Sequence, residues 1–133
     1  MRFLWLALFG VTGIFARYGI DVLAERSSWN AGASLEGFPF NTFLINIAGS
    51  ALAGVLSVLA AERGTWVSAD LRTGLMVGFL GGFTTFSAYA LQSAKLFEDG
   101  RNSTAILYLC LSPAVGLFAA VAGLKLTRLW MSG

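Results

Sequence analysis

The sequence predicts an all-α membrane protein with four transmembrane helices, and three observations lead to this fold class. Of its 133 residues, 56% are hydrophobic and 12% are charged, whereas soluble domains have roughly 25% charged residues. The mean hydropathy is +0.72. Uncharged runs at 37–61, 73–94 and 102–124 are each long enough to cross a bilayer. Much of the surface therefore requires lipid as its solvent.

The chain is predicted to form one membrane domain, 1–133, with spans at about 3–23, 38–61, 71–97 and 103–129. The first span is the least regular, because Arg17 interrupts its apolar run. A buried arginine is costly in lipid and normally faces a wet cavity or a partner. Its alternative role is an anchor at the interface, paired with Asp21 one helical turn further on.

Basic residues are divided almost evenly between the two sides of the predicted bundle. The side with both termini holds Arg2, Arg63, Arg72, Lys125 and Arg128. The opposite side holds Arg26, Lys95 and Arg101, with Arg17 as a fourth if it faces that way. Because Lys and Arg orient membrane proteins, so weak a bias permits insertion in both orientations, and a single orientation remains the alternative. Four helices leave little room for a pore, so we expect a passage between two chains in a two-fold dimer.

A polar stripe marks the second span. Thr42, Asn46 and Ser50 recur at every fourth position and therefore share one helical face. Hydroxyl groups and small residues also serve helix packing in lipid, and this role explains Ser50 as well as a functional role does. Asn46 is the stronger functional candidate, since an amide in the middle of a span needs a partner.

The third span carries Gly81-Gly82 and Thr84-Thr85 in the middle of its length. Glycine is a weak helix former and threonine hydroxyls compete for backbone partners, so this pattern favours a broken helix. Unwound backbone is allowed at that depth where it lines a cavity, and its carbonyls suit sodium. A continuous helix that uses the glycines for close packing is the alternative.

The fourth span places two hydroxyl groups on one face, at Tyr108 and Ser112. Ordinary hydrogen bonding between helices explains them equally well. Pro113 follows at once, and it cannot donate a hydrogen bond to the carbonyl of Leu109, so a kink is expected there.

The functional classes that the sequence excludes are enzymes and nucleic-acid binders. The chain has no histidine and a net charge of only +2. Its seven acidic residues lie at span ends or in predicted loops, and no nucleophile–base pair or cluster of metal-ligating side chains is apparent.

Three motifs together resemble the Fluc/CrcB family of fluoride channels over nearly the whole chain. They are Gly13-x-x-x-Arg17-Tyr18, Asn41-Thr42-x-x-x-Asn46-x-x-Gly49, and the run GFLGGFTTFS at 78–87. The resemblance implies an antiparallel, dual-topology homodimer with two fluoride pathways. It also implies a structural sodium ion on the two-fold axis, held by the backbone carbonyls of Gly81 and Thr84.

The resemblance also implies roles for individual residues in the ion pathway. Asn46 and Phe86 match pore residues, Tyr108 and Ser112 match a track of hydroxyl groups, and Arg17 matches an arginine near the vestibule. The Thr42 hydroxyl is a further expected donor. Two positions depart from the family pattern. Tyr89 stands where a second pore phenylalanine is expected, and Gly116 lacks the hydroxyl that often continues the track.

The function expected from this resemblance is passive, fluoride-selective export through two pores per dimer in the cell (inner) membrane. The alternative is a small multidrug-type, dual-topology antiporter, which also has four spans. A proton-coupled exporter needs a titratable group on its path, and the spans lack a central carboxylate. A membrane scaffold without transport activity is a third reading, which leaves Asn46 without a purpose.

Overall fold

The computed structural model describes residues 1–26, 37–62 and 68–133, and all regular secondary structure in these segments is helical. Helix α1 spans Arg2–Arg26 and α2 spans Phe40–Glu62. The third span consists of α3 (Ala69–Thr73), a π-helical segment (Gly74–Phe79), α4 (Leu80–Phe83) and α5 (Phe86–Glu98). Helix α6 covers Asn102–Ser132.

Four helical spans in the described segments are long and apolar enough to cross a membrane, at 2–24, 40–61, 69–98 and 102–132. The prediction of an all-helical protein with four candidate spans is therefore confirmed. The most apolar stretch of each span is at most 22% buried within the chain. Large apolar side chains such as Phe15, Phe118 and Trp130 point outward. A surface of this composition is stable against hydrocarbon and not against water. Arg63, which was counted above among the basic residues on the side of the two termini, lies outside the described residues.

Helices α2 and α6 pack closely through small residues. A Cβ atom at Gly54 would overlap the carbonyl of Ala120, and one at Gly123 would overlap the carbonyl of Ala51. Each helix thus lays a glycine against the backbone of the other. Lipid gives no hydrophobic drive for helix association, so close contact of this kind is a main source of attraction between spans.

Helix α1 packs against the first half of the third span in the same way. A Cβ atom at Gly13 would overlap the carbonyl of Phe79, and one at Gly78 would lie 2.9 Å from the carbonyl of Leu6. The helix is widened to π geometry where it meets α1, from Gly74 to Phe79. The first half of the third span is therefore fixed by backbone contacts.

The second half of that span has a well-defined start and end. The Thr85 hydroxyl accepts a hydrogen bond from the Ala88 N–H at 3.2 Å and caps the start of α5. At the other end Gly100 has φ +73°, and the N–H of Arg101 donates to the carbonyl of Leu96 at 2.9 Å. This is the glycine-terminated C-cap that stops a helix and turns the chain. Helix α5 thus begins within the third span as a separate helix with its own cap.

An aromatic cluster joins α5 to α6 and to the start of α2. Tyr108 is fully buried at its centre, with the Phe38 ring 5.2 Å away at an interplanar angle of 78°. The Tyr89 ring lies 5.1 Å from the Tyr108 ring on the other side. The cluster positions the hydroxyl groups of both tyrosines between α5 and its neighbours.

Candidate ion pathway

A first cavity, with a volume of about 460 Å³, lies between α2, the third span and α6. Its polar lining comes from Asn46, Ser50, Thr84, Thr85, Tyr89 and Ser112. Phe86, Pro113 and Gly116 line it as well. Four of the residues predicted for the pathway therefore share one cavity, namely Asn46, Phe86, Tyr89 and Ser112.

The second cavity, of about 420 Å³, lies between α1, the start of α2 and α5. Arg17 and Asp21 line it from α1, Thr42 from α2, and Gln92 from α5. Thr85 lines both cavities. Arg17 and Thr42 are thus grouped apart from those four residues, on the other side of Thr85, and Tyr108 lines neither cavity.

The helix of the third span is interrupted between the two cavities, at Thr84 and Thr85. Both have extended backbone angles, φ −86° and ψ 157° for Thr84, and φ −148° and ψ 113° for Thr85. The side-chain amide of Asn46 makes two hydrogen bonds to the backbone of Thr85. Its Oδ1 accepts from the Thr85 N–H at 2.9 Å, and its Nδ2 donates to the Thr85 carbonyl at 3.2 Å. A Cβ atom at Gly49 would overlap the Thr84 methyl group, so α2 approaches closely here.

These side chains replace the helical hydrogen bonds around the interruption. The N–H of Thr85 would serve the carbonyl of Gly81 in a continuous helix, and it donates to Asn46 instead. The N–H of Ala88 would serve the carbonyl of Thr84, and it donates to the Thr85 hydroxyl. The carbonyl of Gly82 accepts from Arg17 Nε at 3.2 Å. Arg17, predicted at the vestibule, thus lines the second cavity and caps the C-terminal end of α4 with positive charge.

A chain of hydrogen bonds connects α6 to α2 through α5. The Tyr108 hydroxyl donates to Gln92 Oε1 at 3.0 Å, and Gln92 Nε2 donates to the Thr42 hydroxyl at 2.9 Å. Sequence reasoning missed Gln92. The signal is present in the sequence, because Gln92 is an uncharged amide within the run 73–94, as Asn46 is within the run 37–61.

The two predicted ring residues of α5 differ in their surroundings. Phe86 is 79% exposed on the single chain, whereas the Tyr89 ring is half-buried, 5.7 Å from the Phe86 ring. The Tyr89 hydroxyl donates to the carbonyl of Leu109 at 2.8 Å. It therefore already has a partner within the chain.

The chain is similar in sequence to known proteins over most of its length. The family model described as "CrcB-like protein, Camphor Resistance (CrcB)" matches residues 4–124. A protein of Paracoccus denitrificans is 43% identical over 126 residues, covering 95% of this chain and 94% of its own. Proteins of Geobacter sulfurreducens (40% over 127 residues, covering 92% and 94%) and Chlorobium luteolum (41% over 121 residues, covering 91% and 88%) are also similar. All three relatives are named fluoride-specific ion channel FluC.

Proposed function

The chain belongs to the CrcB family, and from this membership we propose that it is a fluoride-selective channel that exports the ion passively. It is a multi-pass membrane protein and not an enzyme. The observation that carries the proposal is the first cavity, where an amide, hydroxyl groups and aromatic rings meet beside an interrupted helix. The proposed location is the cell (inner) membrane.

The main physical obstacle for a fluoride ion is the loss of its water. Moving a bare ion into a low-dielectric medium costs on the order of tens of kcal/mol. The pathway must therefore offer donors in place of water. The hydroxyl groups of Ser112 and Thr42 are such donors, and the positive edge of the Phe86 ring is another. The Tyr108 hydroxyl lines neither cavity and donates to Gln92 Oε1, so it would support the pathway through Gln92. Gln92 joins this set because it holds the hydroxyls of Tyr108 and Thr42 in place.

Asn46 has two roles in the proposed pathway. A side-chain amide has two N–H groups, and one of them is used by the Thr85 carbonyl. The other remains as a donor for an anion in the first cavity, which Asn46 lines. The bonds to Thr85 fix the amide, so little rearrangement is needed when the ion arrives.

A structural sodium ion at the interruption is the second part of the proposal. The carbonyls of Gly81 and Thr84 would hold it, since the N–H groups of Thr85 and Ala88 are directed elsewhere. Carbonyl groups of unwound helices are suitable Na⁺ ligands. When bound, the ion would supply a fixed positive charge beside the anion pathway. No group of acidic, histidine or cysteine side chains suited to a metal occurs in the described segments, so backbone oxygens are the ligands that fit.

The proposed assembly is an antiparallel homodimer with two pores and the interruptions of both chains near the two-fold axis. Gly81 is exposed, and a Cβ atom built there has no neighbour within 4 Å. Phe86 is also uncovered by its own chain. A second copy that contacts this face would complete both the cation site and the wall of the passage. The nearly even distribution of basic residues is compatible with both orientations.

The proposal is tested by ion efflux from liposomes that contain the purified protein and are loaded with potassium fluoride. Valinomycin supplies the potassium conductance, so passive fluoride efflux begins only when it is added. We expect rapid release at a fluoride electrode and little release from vesicles loaded with chloride. Proton-coupled loss of a cationic dye without fluoride release would instead support the small multidrug-type antiporter.

Phe86→Ile removes the ring edge and is expected to reduce the fluoride rate by roughly tenfold or more while the dimer persists. Phe118→Ile is the matched control, because Phe118 is 74% exposed on α6 and lines neither cavity. Equal loss of rate in the two variants would remove Phe86 from the pathway.

A further inference from the structure

Pro113 removes a hydrogen bond from the middle of α6. Proline has no backbone N–H, so residue 113 cannot donate to the carbonyl of Leu109 four residues earlier. In water this carbonyl would find a solvent partner. Within hydrocarbon an unpaired carbonyl is costly and must be paired from inside the protein.

Tyr89 supplies that partner from another helix. Its hydroxyl donates to the carbonyl of Leu109 at 2.8 Å. Helical carbonyls point toward the C-terminal end of the helix, so this one is directed toward Pro113. Both Tyr89 and Pro113 line the first cavity. The hydrogen bond therefore connects a residue that lines the proposed anion pathway to the turn of α6 that precedes Pro113.

We propose that Tyr89 and Pro113 form a matched pair, in which the tyrosine hydroxyl covers a carbonyl that would otherwise repel the permeating anion. A carbonyl oxygen carries partial negative charge, and its effect on a nearby ion is strong where the dielectric constant is low. Left uncovered, it would disfavour fluoride and attract cations. The inference rests on the proposed function, because it concerns the same cavity.

The pairing also fixes the position of the Tyr89 ring. The ring lies between Phe86 and Tyr108, with centroid distances of 5.7 Å and 5.1 Å. With its hydroxyl bound to α6, the ring cannot swing away about χ1 without breaking that bond. Tyr89 is thus a positioning residue whose hydroxyl is committed to the backbone and not offered to the ion. This explains how the chain accommodates a tyrosine at that position.

The test is a double-mutant cycle with Tyr89→Phe and Pro113→Ala, each alone and combined. Pro113→Ala restores a backbone N–H that can serve the Leu109 carbonyl without help from residue 89. In the presence of Pro113, Tyr89→Phe is expected to lower the fluoride rate by roughly three- to tenfold, the effect of one hydrogen bond. In the Pro113→Ala background the same substitution should change the rate by less than about twofold.

Two further readouts separate this role from a purely structural one. Tyr89→Phe alone should increase cation leak, seen as a reversal potential that moves away from the fluoride equilibrium potential in a KF gradient. Thermal unfolding of the purified variants measures the hydrogen bond without any flux. Tyr89→Phe should lower the midpoint clearly in the presence of Pro113, and little in the Pro113→Ala background.

The outcomes distinguish the inference from the proposed function. A wild-type protein without fluoride flux would refute the proposed function and with it the role in the pathway, while the unfolding midpoints still decide whether the hydrogen bond exists. Normal wild-type flux combined with an equal effect of Tyr89→Phe in both backgrounds would refute the matched pair alone. The matched pair would also be refuted if the two substitutions were coupled in their unfolding midpoints but Tyr89→Phe changed neither the fluoride flux nor the cation leak.

Discussion

The two halves of the third span are stabilised in different ways. The half before Thr84 meets α1 through glycines, and Cβ atoms at Gly78 and Gly82 would lie 2.9 Å and 2.6 Å from backbone carbonyls of α1. The half after Thr85 is joined to its neighbours by side-chain hydrogen bonds. Tyr89 donates to α6, and Gln92 bridges α6 and α2.

This difference separates anchoring from ion contact within one membrane span. Close backbone packing fixes position and leaves little room between the helices for polar side chains. Side-chain hydrogen bonds place hydroxyl and amide groups between helices, where a cavity can use them. The extended residues Thr84 and Thr85 allow the two halves to face different partners. Substitutions that affect one half should therefore reduce assembly, and those that affect the other should reduce flux.

The largest effect is expected from Gly13→Leu, which acts on the anchoring half. The added side chain would overlap the Phe79 carbonyl, so α1 and the third span would have to separate. We expect loss of the monodisperse species in size-exclusion chromatography and fluoride efflux at background level. Gly19→Leu on the same helix is the control, because a Cβ atom there has no neighbour within 4 Å. Normal assembly of the Gly13 variant would contradict this anchoring role.

Asn46→Ala acts at the junction between the halves. It removes both hydrogen bonds to Thr85 and a donor from the first cavity. Two lost hydrogen bonds predict a fall in the fluoride rate of roughly a hundredfold, with the dimer preserved. Ser57→Ala is the matched truncation on α2, since its hydroxyl donates only to the Gly54 carbonyl of its own helix. A wild-type rate in the Asn46 variant would remove this residue from the pathway.

Gln92→Leu tests the second half alone and is expected to have the smallest effect of the three. The change keeps the side-chain volume but removes the bridge between Tyr108 and Thr42. The fluoride rate should fall roughly tenfold with an unchanged chromatographic profile. Ser93→Ala, at the next residue, removes a hydroxyl that bonds within α5 and should leave the rate near that of the wild type. A loss of assembly in the Gln92 variant would show that the second half also anchors the fold.

The sequence was a good guide to the spans and to several polar positions. Hydropathy predicts the four helices because each must satisfy its own backbone in lipid. The positions of Asn46 and Thr85 were foreseeable as polar groups, but their mutual hydrogen bonds depend on how α2 meets the third span. The same is true of Tyr89. Pro113 indicates an unpaired carbonyl, and only the packing of α5 on α6 identifies the donor.

The π-helical segment at 74–79 was not predicted. Its glycines are compatible with α-helical and π-helical backbone alike, and the wider turn occurs where they meet side chains of α1 such as Trp5 and Phe9. Sequence patterns report which residues are polar or small. They do not report which backbone geometry a contact between two helices will favour.

The most direct measurement of the central claim is an experimental structure of the protein in lipid with sodium and fluoride present. We predict two antiparallel chains, with Phe86 facing an aqueous passage and the carbonyls of Gly81 and Thr84 from both chains directed at a shared cation. A structure with Phe86 against lipid, or with those carbonyls turned away from any neighbouring chain, would contradict it.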